Sequence, residues 1–218
     1  ISIGASTDTY DHTGTITAVD DTFDISIGDI KNTLDELKKE TEQMPPMYSA
    51  IKINGKKLYE YVRNGQTVEV PKRPITIYDI KMISDVSFDQ YHQFDFFASV
   101  SKGTYIRTIA HDFGTKINLP CHLSALRRVN SGLFDIKDAY QLDMVNDTTK
   151  PTIDLMDYAK NLATVQVSDY LAKMVKNGTR LDERQTTDAG PILVKDPQGN
   201  PIAIYIKDDN TYKPIIQF

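Results

Sequence analysis

The sequence of 218 residues has few of the features that cross-link a chain or anchor it in a membrane. Cys121 is its only cysteine, so no disulfide can form within the chain, and this composition is consistent with a reducing compartment. It has no apolar run of the roughly 18 residues that would span a bilayer, and no long repeat or low-complexity tract. These absences favour a cytoplasmic globular protein with no membrane partner.

The overall charge does not indicate a nucleic-acid-binding protein, but the distribution of charge does. The formal net charge is −5, and 40% hydrophobic with 25% charged residues is typical of a chain that builds a core. Residues 48–74 contain six basic and two acidic side chains, a net +4, so the rest of the chain carries −9. Tyrosines are interleaved with these cations. A solvated excursion is possible, but the pattern favours contact with RNA or DNA.

A strand, a tight turn and a helix are predicted around residues 94–117. Residues 94–100 are apolar and aromatic, Gly103 breaks the pattern, and Thr104 is a candidate N-cap. The apolar residues that follow recur at helical spacing. This arrangement sets Tyr105 and Arg107 in the first helical turn, where a guanidinium can hold a carboxylate or phosphate. An ordinary surface arginine is the alternative.

Elsewhere the sequence predicts short strands and a few amphipathic helices. We expect strands over residues 1–5, 15–19, 50–53, 75–86 and 91–100, and helices over residues 27–40 and 58–62. After a turn-rich linker at residues 143–151, a helix beginning at Ser168 and two hairpins predict a small β-rich module.

Two groups of residues have the side chains of a metal or nucleophile site. Asp8, Asp11 and His12 lie in one loop, but three ligands without a second cluster are a weak signal, and a self-bonded polar loop is the preferred interpretation. Cys121 with His111 or His122 is a second combination, for which a small buried cysteine is preferred.

Five motifs, in this order, resemble the bacterial tRNA pseudouridine synthase B family. They are Thr-Asp-Thr-Tyr-Asp-His-Thr-Gly at residues 7–14, the segment 43–65 around Pro-Pro-Met-Tyr-Ser-Ala, Lys-Arg-Pro-Ile at 72–75, Gly-Thr-Tyr-Ile-Arg-Thr at 103–108, and Leu-Arg-Arg at 126–128. The resemblance is strong over residues 1–135 and looser beyond them.

The resemblance implies an α+β fold. It implies a synthase core of mixed and antiparallel strands with flanking helices over residues 1–147, incomplete at its N-terminus, and a small β-rich, PUA-like RNA-binding domain over 151–218. Residues 43–74 resemble the family's thumb, an insertion that folds over the T arm of tRNA; we call them the thumb-like segment. The implied activity is isomerisation of the T-loop uridine (uridine 55) to pseudouridine.

The resemblance also implies roles for individual site residues, but the sequence departs from the family pattern at one motif. Arg107 matches the partner of the catalytic aspartate, and Tyr105 and Leu126 match pocket walls, although core packing is an equal alternative for Leu126. The family's nucleophile lies in a Gly-x-Leu-Asp-Pro motif that this sequence does not contain. We therefore expect an upstream portion to be absent, no nucleophile in this chain, and an unpaired Arg107. As given, the chain is an inactive tRNA-binding fragment in the alternative interpretation.

The implied partner is the T arm of tRNA, bound by a monomer. The candidate RNA-binding residues are the cations and tyrosines of the matching motifs: Tyr48, Lys52, Lys56, Lys57, Tyr59, Arg63, Lys72, Arg73, Arg127 and Arg128. No metal and no organic cofactor is implied.

Overall fold

A computed structural model describes residues 1–20, 22–88, 91–132, 134–149 and 155–218. The chain divides into two compact units, Ile1–Arg127 and Arg128–Phe218, which are described separately. The predicted linker at residues 143–151 and the start of the predicted second domain at residue 151 fall partly outside the described residues. The domain bounds 1–147 and 151–218 therefore stay a prediction.

The described strands of the first unit are short. In chain order they are β1 (Ser2–Ile3), β2 (Ala5–Thr7), β3 (Ile16–Val19), β4 (Glu42–Gln43), β5 (Lys52–Ile53), β6 (Lys56–Lys57), β7 (Arg73–Pro74), β8 (Ile77–Met82), β9 (Ser87–Phe88), β10 (His92–Gln93), β11 (Phe96–Val100) and β12 (Cys121–His122). One antiparallel sheet has the order β12-β1-β10-β9. The other strands pair antiparallel in twos: β2 with β3, β4 with β7, β5 with β6, and β8 with β11.

The first unit also contains helices α1 (Ile27–Leu37), α2 (Leu58–Arg63) and α3 (Ile106–Ile117). Helix α1 begins with a capping box, in which Ser26 Oγ accepts from Asp29 N at 3.1 Å and Asp29 Oδ2 accepts from Ser26 N at 3.1 Å. Helix α3 ends at Asn118, whose φ of 58° is left-handed. Both helices turn an apolar face to one core, which includes Ile30, Leu34, Ile109 and Phe113.

A close approach between α3 and β12 places Cys121 in this core. A Cβ added to Gly114 would lie 2.6 Å from the Leu119 carbonyl oxygen and 2.8 Å from Cys121 Cβ, so only glycine permits this packing. Burial raises the pKa of the Cys121 thiol to about 12. Cys121 is therefore a buried neutral thiol rather than a reactive one.

The second unit contains a five-stranded sheet. Its described elements are β13 (Asn130–Ser131), β14 (Phe134–Asp135), two 3-10 turns (Ile136–Asp138 and Leu142–Met144), α4 (Leu155–Ala159), β15 (Ala163–Gln166), α5 (Asp169–Lys176), β16 (Leu181–Asp182), β17 (Ile192–Lys195), β18 (Pro201–Asp208) and β19 (Thr211–Gln217). The sheet order is β15-β17-β18-β19-β16, with β15 parallel to β17. Val175, Ile192, Tyr205 and Tyr212 are buried in its core.

The mixed helix-and-sheet fold and most elements agree with the sequence predictions. The hairpins β17–β18 and β18–β19 and the Ser168 cap of α5 are confirmed. The prediction of Thr104 as the N-cap of α3 was wrong, because Tyr105 occupies that position and Thr104 Oγ1 bonds Ser101 Oγ instead. The parallel strand β15 was not predicted. In the part of the chain that the structure describes, no helix is long and apolar enough to cross a membrane.

Candidate active site

The site is built around the first residues of α3. Tyr105, the N-cap residue, makes no capping hydrogen bond with its own side chain. Its backbone is held instead by the amide of Gln43, whose Oε1 accepts from Tyr105 N at 2.8 Å and whose Nε2 donates to Tyr105 O at 3.1 Å. Gln43 is 4% exposed and lies on β4, which pairs with β7 at the base of the thumb-like segment. The start of α3 is therefore tied to that base.

Arg107, two residues after the N-cap Tyr105, makes hydrogen bonds to two different segments of the chain. Its Nη1 donates to Asp11 Oδ2 at 3.1 Å, and its Nη2 donates to the backbone oxygen of Tyr48. The Arg107 and Asp11 side chains are 21% and 20% exposed, so the ion pair is partly shielded from water. The expectation of an unpaired Arg107 was wrong, because the loop of residues 7–14 supplies a carboxylate from 96 positions away.

Hydrogen bonds within that loop hold Asp11 in its ionised form. Asp11 Oδ1 accepts from Thr9 Oγ1 at 2.9 Å and from Thr13 N at 3.0 Å and Thr13 Oγ1 at 2.5 Å. Burial raises the pKa of Asp11, but the hydrogen bonds from Thr13, Thr9 and Arg107 together lower it below its usual value. The arrangement provides a fixed negative charge that orients the guanidinium.

Asp8 holds the same loop and reaches the thumb-like segment. Asp8 Oδ1 accepts from Thr15 N at 2.8 Å, and Asp8 Oδ2 accepts from the Tyr48 hydroxyl at 3.1 Å. A Cβ on Gly14 would collide with Asp8 Oδ1 and Thr9 Oγ1, so the glycine permits this tight turn. Asp8 and Asp11 are thus used in hydrogen bonds, and no group of three metal-ligating side chains occurs among the described residues.

The remaining histidine candidates have structural contacts. Tyr10, with a φ of 66°, stacks on His111 at 3.9 Å between ring centroids, which packs the loop against α3. His122 Nδ1 lies 2.8 Å from the Ala5 carbonyl oxygen. Among the described residues Cys121 is a free, buried thiol, so the preferred interpretation of a small buried cysteine agrees with the geometry.

In residues 51–66, which we call the tip of the thumb-like segment, cations lie over the tyrosine rings. Lys57 Nζ lies 5.5 Å and Arg63 Cζ 5.4 Å from the Tyr59 ring centroid, and Lys56 Nζ lies 6.0 Å from that of Tyr61. The Tyr61 hydroxyl donates to the Ile53 carbonyl at 2.9 Å. The tyrosines therefore hold the positive charges of the tip in place.

The other candidate residues are exposed. Lys52, Lys72, Arg73, Arg127 and Arg128 all lie on the surface. Leu126 is 64% exposed, which contradicts core packing and leaves the pocket-wall role as a prediction. Tyr105, half-buried, has its ring centroid 5.8 Å from Arg107 Cζ.

Sequence reasoning missed the links that complete the site. From the sequence, Asp11 is a loop residue, a candidate metal ligand and part of one family motif, and Gln43 begins another motif. Neither is linked by the sequence to the start of α3. The usable signal is chemical, because an arginine that is partly shielded from water needs an anion, and the aspartates of residues 7–14 are available. Nothing local in the sequence indicates contacts across 62 positions, as for Gln43 and Tyr105, or across 96, as for Asp11 and Arg107.

Comparison with known proteins agrees with this geometry. Residues 1–106 match the family model described as TruB family pseudouridylate synthase (N terminal domain). The chain is 40% identical over 219 residues to tRNA pseudouridine synthase B of Staphylococcus saprophyticus, covering 94% of this chain and 72% of that protein. The chain belongs to the tRNA pseudouridine synthase B family. The family member from Bacillus velezensis is 41% identical over 219 residues, covering 94% of this chain and 71% of its own length.

A solved structure supports the fold at greater distance. The crystal structure of a Cbf5-Nop10-Gar1 complex contains a chain that is 19% identical, with a TM-score of 0.57. The match covers 84% of this chain, which spans 56% of the solved chain. At this identity the similarity concerns the fold alone.

Proposed function

We propose that the protein is a tRNA pseudouridine synthase that isomerises the T-loop uridine (uridine 55) of tRNA. The observation that carries the proposal is the half-buried Arg107–Asp11 pair at the start of α3, formed by two of the motifs that match the family. Relatives named tRNA pseudouridine synthase B, 36–41% identical to this chain, support the same activity.

The chemistry requires a positioned anion and a displaced base. The bond between uracil and ribose is broken and re-formed through carbon, so the uridine must leave its stack to be reached. An ionised carboxylate starts the reaction. A guanidinium has five N–H donors, and the contacts with Asp11 and Tyr48 use two of them. The others can hold the nucleophilic aspartate of the family, or a phosphate of the flipped nucleotide.

For the 218-residue chain by itself, tRNA binding without turnover is the alternative. The carboxylate that contacts Arg107 in the described residues is that of Asp11, which already accepts hydrogen bonds from Thr9 and Thr13. We assign Asp11 to orienting Arg107 rather than to attack on the uridine. In this proposal the nucleophile is the aspartate of the family's Gly-x-Leu-Asp-Pro motif, which these 218 residues do not contain.

We assign tRNA contact to the cations and tyrosines of the matching motifs and to a pocket beside Arg107. Tyr105 and Leu126 form the pocket walls in this proposal. The T arm lies along the thumb-like segment, where the contributing residues are Tyr48, Lys52, Lys56, Lys57, Tyr59, Arg63, Lys72 and Arg73, with Arg127 and Arg128 beyond it. The β-rich part of the second unit acts as a PUA-like RNA-binding domain over residues 151–218. The acting state is a cytoplasmic monomer.

One assay separates the two functions. The 218-residue chain is incubated in excess over an unmodified T-arm stem-loop, and pseudouridine is measured alongside RNA binding. Binding with product supports an enzyme complete in these residues, and binding without product supports the fragment. A form carrying the family's catalytic aspartate should yield product. Absence of both binding and product from every form would contradict the proposal.

A matched RNA control makes the assay specific for the T-loop uridine. A stem-loop in which cytidine replaces that uridine has the same charge and length, so it should bind equally and yield no product. A product that appears at another uridine would contradict the assigned position while leaving the synthase activity intact.

A further inference from the structure

We propose that Gln43 is a positioning residue for Arg107. The backbone of Tyr105 makes two hydrogen bonds with the Gln43 amide, in the manner of a neighbouring strand: its N–H donates to Gln43 Oε1 at 2.8 Å and its carbonyl accepts from Gln43 Nε2 at 3.1 Å. Tyr105 is the N-cap of α3 and has no side-chain cap of its own. Gln43 therefore fixes the point from which α3 and Arg107 begin.

A second contact between the same two segments makes the arrangement rigid. Arg107, two residues after Tyr105, donates to the backbone oxygen of Tyr48, which lies five residues after Gln43. Pro45 and Pro46, both buried, lie between Gln43 and Tyr48 and restrict the backbone there. Two contacts between two stiff segments leave the guanidinium little freedom except to face Asp11.

The burial of Gln43 makes this contact costly to lose. Gln43 is 4% exposed, so replacing its amide leaves the Tyr105 N–H without that partner where water has little access. The Tyr105 carbonyl would keep the hydrogen bonds from Thr108 N and Ile109 N, both at 3.2 Å. The backbone at Tyr105 would then move to give its N–H a new partner. Because Arg107 follows within the first turn, its guanidinium would move away from Asp11.

The first test measures the position of Arg107 without relying on activity. In the 218-residue chain, the side-chain Nε–Hε signal of Arg107 is followed by NMR after assignment with Arg107→Lys. Gln43→Met keeps the length of the side chain and removes both hydrogen bonds, and Gln66→Met, at an exposed glutamine of the thumb-like segment, is the control. We expect the Arg107 signal to shift or broaden, with several-fold faster solvent exchange, only in Gln43→Met.

A folded Gln43→Met protein with an unchanged Arg107 signal would overturn the proposal. If Gln43→Met does not fold, Gln43→Glu keeps the acceptor for Tyr105 N and loses the donor for Tyr105 O. That variant should also shift the signal, and a native signal in it would equally overturn the proposal.

The second test rests on the proposed function and uses an active form of the protein. Gln43→Met should lower the single-turnover rate with T-arm RNA about tenfold and leave the Kd within about twofold. In an Arg107→Ala background the same change should cause no further loss of rate, because Gln43 acts through Arg107. Additive losses would indicate a merely structural residue. If the wild type makes no pseudouridine, the proposed function fails while the NMR result still decides the role of Gln43.

Discussion

The base and the tip of the thumb-like segment are held in different ways. At the base, Gln43 and Tyr48 contact Tyr105, Arg107 and Asp8, which lie 40 to 62 positions away. At the tip, the hydrogen bonds are local: Leu58 N donates to Ile51 O at 2.8 Å, and Gln66 N donates to Tyr61 O at 2.9 Å. Long-range contacts therefore fix the base of the segment to the rest of the first unit, while the tip is held by contacts within the segment itself.

This difference separates the two tasks that the family's reaction requires. An arginine that must meet reacting groups needs a position that does not change, and the long-range contacts at the base provide it. A surface that follows a phosphate backbone needs accessible cations, and Lys52, Lys56 and Arg63 are exposed at the tip. In the proposed function, the tip adjusts to RNA through these local contacts while Arg107 keeps its position.

The strongest test of the comparison truncates one buried leucine in each region. Leu34, 1% exposed, lies in the main core, while Leu58, 0% exposed, lies outside that cluster of described residues. Leu34→Ala should lower the free energy of global unfolding by about 2–5 kcal/mol. Leu58→Ala should mainly loosen the tip, which is measured as faster amide exchange at residues 51–66. The free energy of global unfolding is measured by urea titration of both variants. An equal loss in Leu34→Ala and Leu58→Ala would show that the tip is not held separately from the core.

Removal of the guanidinium tests the fixed end. In an active form of the protein, Arg107→Ala should lower the single-turnover rate about 100-fold, by loss of a preorganised charge, and change RNA affinity much less. Lys116→Ala removes a partly shielded cation at the other end of α3, paired with Glu40 at 2.8 Å, and is the matched control. A loss of affinity equal to the loss of rate would contradict the role of Arg107 as a carboxylate partner.

Neutralising Asp11, the partner of Arg107, tests how much the ion pair contributes to the free energy of unfolding at different pH values. Asp11→Asn should lower the free energy of unfolding by about 1.5–3 kcal/mol near neutral pH, the usual range for hydrogen bonds to charged groups. The folded state lowers the pKa of Asp11 below its ordinary value of 3.8, so its contribution is present above that value and is lost as pH falls below it. Urea titrations of both proteins from pH 7 to pH 3 should therefore converge at the acidic end. A constant difference would indicate that the charge is irrelevant.

Charge removal at the tip should have the smallest effect. Changing Lys56 and Lys57 to Ala should weaken T-arm RNA binding roughly tenfold and reduce the slope of log Kd against log salt by about 2. The control variant changes the exposed lysines Lys31 and Lys39 to Ala. It has the same net charge as the Lys56 and Lys57 variant and should leave the slope unchanged. If the two double variants behave alike, the tip does not contact phosphate.

Much of the fold could be predicted from local patterns. The apolar spacing of α1, α3 and α5 and the turns of the β17–β18–β19 hairpins are properties of neighbouring residues, so they appear in the sequence. The N-cap of α3 was misassigned to Thr104 because the Gln43 amide, from another segment, holds Tyr105. Strand β15 was missed because its parallel partner is 29 residues further along the chain.

The sequence by itself determined the concentration of positive charge in residues 43–74, the single cysteine and the motifs of the family, because these depend only on composition and order. The tertiary structure alone decided that Arg107 faces Asp11 and that Gln43 holds the start of its helix. These pairs are polar and distant in the chain, and no periodicity connects them. They meet only because packing of the core brings their backbones together, where burial makes each hydrogen bond necessary.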